Sequence, residues 1–437
     1  MRIIQTIRGL VFILLIGFYQ VTTAQTINRA TQIIDTLSSD ALRGRQAGSE
    51  GEKLATDYIS NEFKKLGLKP AGDNGTYFQV MTKFQKVVQK NNLSINKEDL
   101  TKDQFFIDTN AEQLYSKKVK ELQIKDVPSG KTLKEFRQEL LDESAITIVW
   151  VKTKEQRKEL ISMQFKGRNK KYWEDVSSKH AIIWVIPPLS VKTKFKKILL
   201  DFKQDVKKAE MRNVMAKLEG SSKPNEVVMV GAHHDHIGIL DAVQGDSIAN
   251  GADDNASGVS AVLQIAEYFA KRRRAYARTI LFTTFSAEEI GLVGSKYMAD
   301  KMSEEELKNI VAMINIEMIG KPSANGKRKA YITGYNKSNL GRLMQKNVRN
   351  ARLKFGFFAD PYPDLKLFMR SDNAPFAAKG VPAHTFSSTD IDFDSYYHTV
   401  NDEMNSLDFQ NIVEVTKGII VGIEPIVSGR ETPSRIR

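Results

Sequence analysis

Three short stretches concentrate residues that can bind metal and move protons. The first is Val230-Gly231-Ala232-His233-His234-Asp235-His236-Ile237-Gly238, and the second is Asn250-Gly251-Ala252-Asp253-Asp254-Asn255-Ala256-Ser257-Gly258. The third set is dispersed: Ser286-Ala287-Glu288-Glu289, Glu317, and Tyr396-Tyr397-His398. Imidazole and carboxylate donors suit Zn²⁺ or a similar borderline cation. The chain has no Cys, so neither a thiolate ligand nor a disulfide framework is available and any metal must be held by His, Asp and Glu. Five of the six histidines lie in the second half. A single His is more often structural than a ligand, so the argument rests on their co-occurrence with Asp254, Glu289 and Glu317.

The positions that must hold these groups read as strand ends. Val227 to Gly231, Thr279 to Phe285, Val311 to Ile316, Ala330 to Thr333 and Val381 to Phe386 are short apolar or β-branched runs. Between them, Ser260 to Arg273, Asn339 to Ala351 and Asp408 to Val427 carry helical spacing, as does Glu50 to Leu66 upstream. Alternation of this kind predicts an α/β fold with a mixed, mainly parallel sheet sandwiched by helices, and its site along the carboxyl edge of the strands. Gly220 to Asn225 reads as a hairpin turn joining a strand over Val214–Leu218 to the next. Periodicity weakens from about residue 84 to 208, where only Ile146–Val151 and Ala181–Ile186 read as strands. The expected organisation is therefore a leader at 1–24, the N-terminal part of the main domain at 25–83, an inserted subdomain at 84–210, and the core at 211–437.

The leader call rests on Arg2 and Arg8, the apolar stretch Gly9–Tyr19, and Val21-Thr22-Thr23-Ala24-Gln25. That is the layout of a secretory signal cleaved after Ala24, which predicts an exported, periplasmic or extracellular protein with no stable membrane span after signal removal. The formal net charge is +13, and residues 151–220 hold 18 Lys/Arg against 8 Asp/Glu. No nucleic-acid motif accompanies this excess, so it is read as a solvated basic surface and nucleic acid is excluded as a partner.

Taken in order, His-x-Asp, Asp-Asp-Asn-x-Ser-Gly, Glu-Glu, an acidic residue after a strand, and Tyr-His resemble metallopeptidase family 28. That family contains exported di-zinc aminopeptidases and carboxypeptidases, and its relatives include glutamate carboxypeptidase, transferrin receptor and glutaminyl cyclase. Leu42-Arg43-Gly44-Arg45 with Gly48-Ser49 and Gly51, and Gly67-Leu68-Lys69-Pro70, resemble one bacterial branch. The resemblance covers roughly residues 35–80 and 210–425. It implies a zinc exopeptidase-like fold and two Zn²⁺ per chain: His233 on one ion, Asp254 bridging both, Glu289 and His398 on the other, and Glu317 completing the first. It also implies Glu288 as general base, Asp235 as the group that hydrogen-bonds His233 and fixes its tautomer, and Tyr397 as the oxyanion donor.

The expected activity is aminopeptidase hydrolysis of peptide substrates. A carboxypeptidase or dipeptidase, a glutaminyl cyclase and a non-catalytic binding module are the alternatives on the same scaffold. Glu317 stands where the family often has Asp, and Ser371-Asp372-Asn373 where it more usually has Ser-Asp-His. His234 and His236 are extra imidazoles, His236 being read as loop structure or pocket wall, and His384 as a core histidine. Asp390, Asp392 and Asp394 alternate, which could place them together as a Ca²⁺ site or a receptor for an α-amine.

Overall fold

Alternate residues of the central apolar runs are buried on opposite sides of one sheet. Val228, Val230, Ile280, Phe282, Ala312 and Ile314 belong to one core, whereas Met229, Leu281 and Met313 belong to another. Strands covered on both faces need no polar alternation, which is why these runs are continuously apolar. The computed structural model describes residues 26–143, 145–169, 172–173, 180–186, 196–272 and 276–436, so the leader expected at 1–24 lies outside the described residues. The chain forms two units, one of residues 1–81 and 211–437, the other of Thr82–Glu210.

In the first unit the elements that position the site are helices α1 (Ile27–Leu37) and α2 (Glu50–Lys65), strands β1 (Ile198–Leu218, of which Met211 onward lies in this unit) and β2 (Lys223–His233), and helix α3 (Gly258–Lys271). They continue as β3 (Arg278–Phe285), α4 (Val293–Lys301), β4 (Ile310–Ile316), β5 (Lys329–Ile332), α5 (Leu340–Asn350), β6 (Gly356–Ala359), α6 (Asn373–Ala377), β7 (Ala383–Ser387) and α7 (Phe409–Val427). The sheet order is β6-β5-β7-β4-β2-β3-β1. The run β7-β4-β2-β3 is parallel, while β1 pairs antiparallel with β3, and β5 antiparallel with β7. The mixed, mainly parallel α/β sheet expected from the sequence is the sheet observed.

One face is covered by α1, α2, α3, α5 and α7 through Ile33, Phe63, Ile265, Met344 and Ile419. The other is covered by α4 and α6 through Met298 and Phe376. The predicted hairpin at Gly220 does not form. Val214–Leu218 pairs with Ile280–Thr284, and Val227–His233 pairs with Thr279–Phe285, so β3 lies between the two strands. A turn signal fixes only that the chain reverses. The wholly buried β3 takes the central place, where both its edges are hydrogen-bonded. No helix among the described residues is long and apolar enough to cross a membrane.

The second unit is a smaller α/β layer. Its strands run in the order Phe105–Thr109, Ala181–Val185, Ile146–Trp150, Leu122–Asp126, the last three mutually parallel. Leu133–Leu140 and Lys154–Asn169 are the crossover helices. Thr132 and Glu135 close the first of these with a capping box. The sequence marks 84–210 as the insertion, and the chain leaves and re-enters the first unit inside the strands Phe78–Ile95 and Ile198–Leu218.

Phe282, fully buried in β3, tests how much the sandwich depends on this middle layer. Phe282→Ala is expected to cost about 3–5 kcal/mol, read as a lowered denaturant midpoint at unchanged slope.

Candidate metal centre

Because β2, β3, β4 and β7 are parallel, all four deliver their following loops to one edge of the sheet. His233 is the last residue of β2, Glu288 and Glu289 follow β3, Glu317 follows β4, and His398 follows β7 after a ten-residue loop of residues 388–397. Asp254 comes from the irregular turn Ala252–Ser257 that leads into α3. Ala287, Met318 and His398 adopt left-handed backbone angles, with φ of 59°, 43° and 57°. Three non-glycine residues in this region, each beside or at a chemical group, mark local strain of the kind that collects at functional sites.

The donor atoms form two groupings, each with all atoms within 4.8 Å of one another: His233, Asp254 and Glu317, and His236, Asp254, Glu289 and His398. Asp254 belongs to both. Its Oδ1 is 3.2 Å from His233 Nε2, and its Oδ2 is 3.3 Å from His398 Nε2. Glu317 Oε1 lies 2.9 Å from His233 Nε2, Glu289 Oε2 2.9 Å from His398 Nε2, and Glu289 Oε1 2.7 Å from His236 Nδ1. Two ligands about 2.0–2.1 Å from one tetrahedral Zn²⁺ sit about 3.3 Å apart, so these separations match atoms sharing an ion. His398 Nε2 is buried and, despite its two carboxylate neighbours, makes no aligned hydrogen bond. The residues therefore fit two zinc ions in donor type, spacing and orientation.

The charge distribution agrees. His233 is buried, which alone would lower its pKa, but Glu317 and Glu288 carry it well above the ordinary imidazole value. His398 is likewise opposed by burial, yet Asp254 and Glu289 push it up to about 10. Glu288 is held well above the usual carboxylate range by burial and by Glu317, Asp372 and Glu289, against the opposing pull of His233. Converging carboxylates of this kind are stabilised by divalent cations more effectively than by protons on imidazole.

Supporting contacts fix the loops. The Asp402 carboxylate accepts the backbone N–H groups of Asp253 and Asp254, both at 2.9 Å. Asn255 donates to Ile316 O at 2.9 Å and accepts from Met318 N at 3.2 Å, joining the turn to the end of β4. Ser371 Oγ donates to Glu317 Oε2 at 2.7 Å and accepts from Asn315 Nδ2 at 2.7 Å. His233 Nδ1 faces the backbone oxygen of Asp235 at 3.1 Å. The Asp235 carboxylate stands 3.8 Å from that nitrogen. It instead accepts the N–H groups of Glu288 and Glu289 at 3.0 and 3.3 Å. Contrary to the sequence expectation, the tautomer of His233 is set by the Asp235 main chain, because the side chain is taken up by the acidic loop.

Tyr397 stacks on His398, with ring centroids 3.9 Å apart and planes 18° apart, and burial raises its phenol pKa. His236 is not simply loop structure, since its Nδ1 faces Glu289. His234 instead points away to Thr284 Oγ1 at 3.1 Å, and burial lowers its pKa to about 3. His384 is a core residue bonded to Ser338 Oγ at 2.7 Å and Thr333 O at 2.9 Å. The three acidic residues weighed as a Ca²⁺ or α-amine site have different surroundings. Asp390 accepts from Tyr362 Oη at 2.7 Å, Asp394 pairs with Lys321 at 2.6 Å, and Asp392 is exposed. Neither donor grouping among the described residues includes them, because the loop bends and turns the three side chains to different partners. Asp402 was not singled out from sequence, and Arg45, which donates to His234 O and Asn250 O, was read only within Leu42-Arg43-Gly44-Arg45, without a role. Asp402 follows His398 by four residues in a turn-rich segment, with no periodic signal to mark it.

A cavity of about 150 Å³ opens against these groups, lined by Glu288, Glu289, Tyr397, Met318, Tyr331 and Ile391 among others, with Arg370 also on its wall.

A mixed, mainly parallel α/β sheet thus carries this donor set at the carboxyl edge of its strands. Residues 213–422 match Peptidase family M28. The chain is similar to a probable leucine aminopeptidase of Trichophyton verrucosum, 29% identical over 58% of this chain and 66% of the relative. It is also similar to the aminopeptidase YwaD of Bacillus subtilis, 26% identical over 49% of this chain and 44% of the relative. The chain spans from about a fifth to about two thirds of the length of the curated relatives it matches. Among solved structures, a zinc aminopeptidase from Bacillus subtilis shares the fold with a TM-score of 0.55 at 18% identity, covering 92% of this chain and 95% of that one. An aminopeptidase from Aneurinibacillus sp. strain AM-1 does so with 0.53 at 20%, covering 93% and 95%.

Glu52 supplies a pH test of the buried layer behind the His loop. It is buried in the first turn of α2, where it accepts from Gly48 N and Ser286 Oγ, and burial raises its pKa to about 7. Between about pH 4.5 and 7 the folded chain keeps a proton that the unfolded chain releases, so this group's contribution to stability falls as pH rises through that window. Glu52→Gln removes the effect. Its stability relative to the parent is expected to rise by up to roughly 3 kcal/mol between pH 5 and pH 8, measured as denaturation midpoints at both pH values.

Proposed function

We propose that this chain is a zinc-dependent aminopeptidase that hydrolyses the bond following a free N-terminal residue of a peptide. In this reading one ion is held by His233, Asp254 and Glu317, and a second by Asp254, Glu289 and His398 with His236 alongside. The observation that carries it is the pair of donor groupings sharing Asp254, with Glu288 on the wall of the adjoining cavity.

Bound there, the ions would supply Lewis acidity to the scissile carbonyl and make the attacking water easier to deprotonate. Glu288 takes the water proton as the C–O bond forms and delivers it to the nitrogen as the C–N bond breaks. Its raised pKa suits a carboxyl that must hold a proton between these steps. Asp235 keeps the backbone of Glu288 and Glu289 in place, so that one side chain serves as base while its neighbour serves as ligand. Tyr397 remains a protonated phenol, able to donate to the oxygen on which negative charge grows.

The cavity lining favours an amine over a carboxylate at the substrate terminus. Besides the ligand carboxylates it carries Glu288 and Asp394, against the single guanidinium of exposed Arg370. Export is proposed on the basic, apolar and small-residue pattern of residues 1–24, and N-terminal sequencing of the secreted chain should begin at Gln25.

The deciding assay offers the purified protein aminoacyl-anilides and N-blocked peptides, before and after chelation and zinc return. Turnover of free-amine substrates only, lost on chelation and restored by zinc, is expected. Release from the carboxyl end of N-blocked peptides would replace this reading with a carboxypeptidase. Two zinc ions bound without any hydrolysis would move it to a cyclase or binding role. Glu288→Gln should lower kcat by about 10²- to 10⁴-fold with zinc content by elemental analysis unchanged.

A further inference from the structure

We propose that Arg45 is a positioning residue for the metal centre: from behind the site it fixes the spacing between the His loop and the Asp loop, and so sets zinc affinity. The inference rests on the zinc reading above and assigns a role to a residue that belongs to neither donor grouping.

Arg45 is 1% exposed. Among the described residues no carboxylate pairs directly with its guanidinium, which is satisfied by main-chain oxygens. Nε donates to His234 O at 2.8 Å, Nη1 to Asn250 O at 2.6 Å and also to Leu37 O, and Nη2 to Gly251 O at 3.0 Å. His234 directly follows the ligand His233, while Asn250 and Gly251 lead into Asp254. The planar fork thus spans the two loops that supply His233, His236 and Asp254, with a third anchor at the end of α1. An ammonium, with three donors on a single nitrogen, cannot serve four carbonyls spread around a planar fork in this way.

The segment around Arg45 interlocks with the same loops. Arg45 O accepts from His236 N at 3.2 Å, Gln46 Nε2 donates to Ile237 O at 3.1 Å, and Asp40 accepts from Asn250 Nδ2 at 2.7 Å. Gly44 has φ +66°, and a Cβ there would run into Ala249 O and Gly238 O, so the backbone can approach only as glycine. Burial lowers the Arg45 pKa to about 10, and the fields of Asp402, Asp254, Asp235 and Glu289 oppose that fall. Arg45 therefore stays cationic and supplies fixed positive charge behind the carboxylates.

The test titrates the metal-stripped full-length chain with Zn²⁺ against a chromophoric chelator. Outer residues that orient ligands typically contribute 10–100-fold in metal affinity, and a loss of that size is expected for Arg45→Met. Arg45→Lys, which keeps the charge without the fork, should recover only part of it. Ile33→Ala, a core change in α1 away from both loops, controls for destabilisation and should bind zinc as the parent does. Unchanged affinity in Arg45→Met, or an equal loss in an Ile33→Ala variant of equal stability, would overturn the proposal. If Arg45→Met does not fold, Arg45→Lys decides: parent-like affinity overturns it, and weakened affinity in a folded chain supports it. A parent chain that takes up no zinc would instead overturn the metal reading itself.

Discussion

Carboxylates crowded into a buried space are the constraint around which this site is built. Within each donor grouping the ligand atoms lie no more than 4.8 Å apart, and Asp254 belongs to both. At an effective dielectric near 20, two like charges at that distance repel by about 3 kcal/mol. Asp235, Asp253 and Asp402 add further buried acid just behind. The fold answers with several donors, none of them sufficient alone. Backbone N–H groups of Asp253, Asp254, Glu288, Glu289 and Gly320 point at the second layer of carboxylates. Lys321 lies 3.8 Å from Asp253, and Arg45 sits behind the loops. The layer nearest the cavity keeps its charge for cations.

The parallel sheet is what makes such crowding possible. Each strand of β7-β4-β2-β3 ends at the same edge, so each can contribute one or two side chains without any strand bearing the whole cost. Past the first residues of β2 these strands are almost entirely buried, with a core on each face of the sheet. Left-handed backbone angles occur just beyond two of them. Ala287 and Met318 turn the chain immediately next to Glu288 and Glu317, so that a side chain leaving a strand end is redirected toward the cavity. Stability lives in the layer below and chemistry in the loops above.

This division also explains what could be read in the sequence. The central strands were legible because continuous apolar runs bounded by polar loops have few other folded states, and the loop residues were legible as a set because His, Asp and Glu recur where those runs stop. Residues acting through the main chain left no such mark. Arg45 and Asp402 work by bonding backbone groups far away in sequence, which no local spacing encodes. The Asp235 carboxylate was assigned to the nearest imidazole, whereas the N–H groups of a loop more than fifty residues on compete for it successfully. His236, directly after the His-x-Asp pair, was read as loop structure or pocket wall, yet the bend after β2 turns it toward Glu289. Phe78–Ile95, which crosses into the second unit, is a long strand whose Lys- and Gln-rich sequence gives no clear period past about residue 84. Strand pairing was equally hidden at Gly220, where a distant segment, β3, separates two consecutive strands.

Glu317 shows how a departure from a familiar pattern can be absorbed. Its extra methylene gives the carboxylate more reach and more rotational freedom than an aspartate would have. One of its oxygens is tied to Ser371, and Ser371 is in turn held by Asn315 from within β4. The remaining oxygen is left 2.9 Å from His233 Nε2. A hydroxyl anchored on a buried amide thus removes the freedom that the longer side chain introduces. Ser371 therefore belongs with Glu317 as one device, and the length of the acidic side chain is matched by the residue that restrains it.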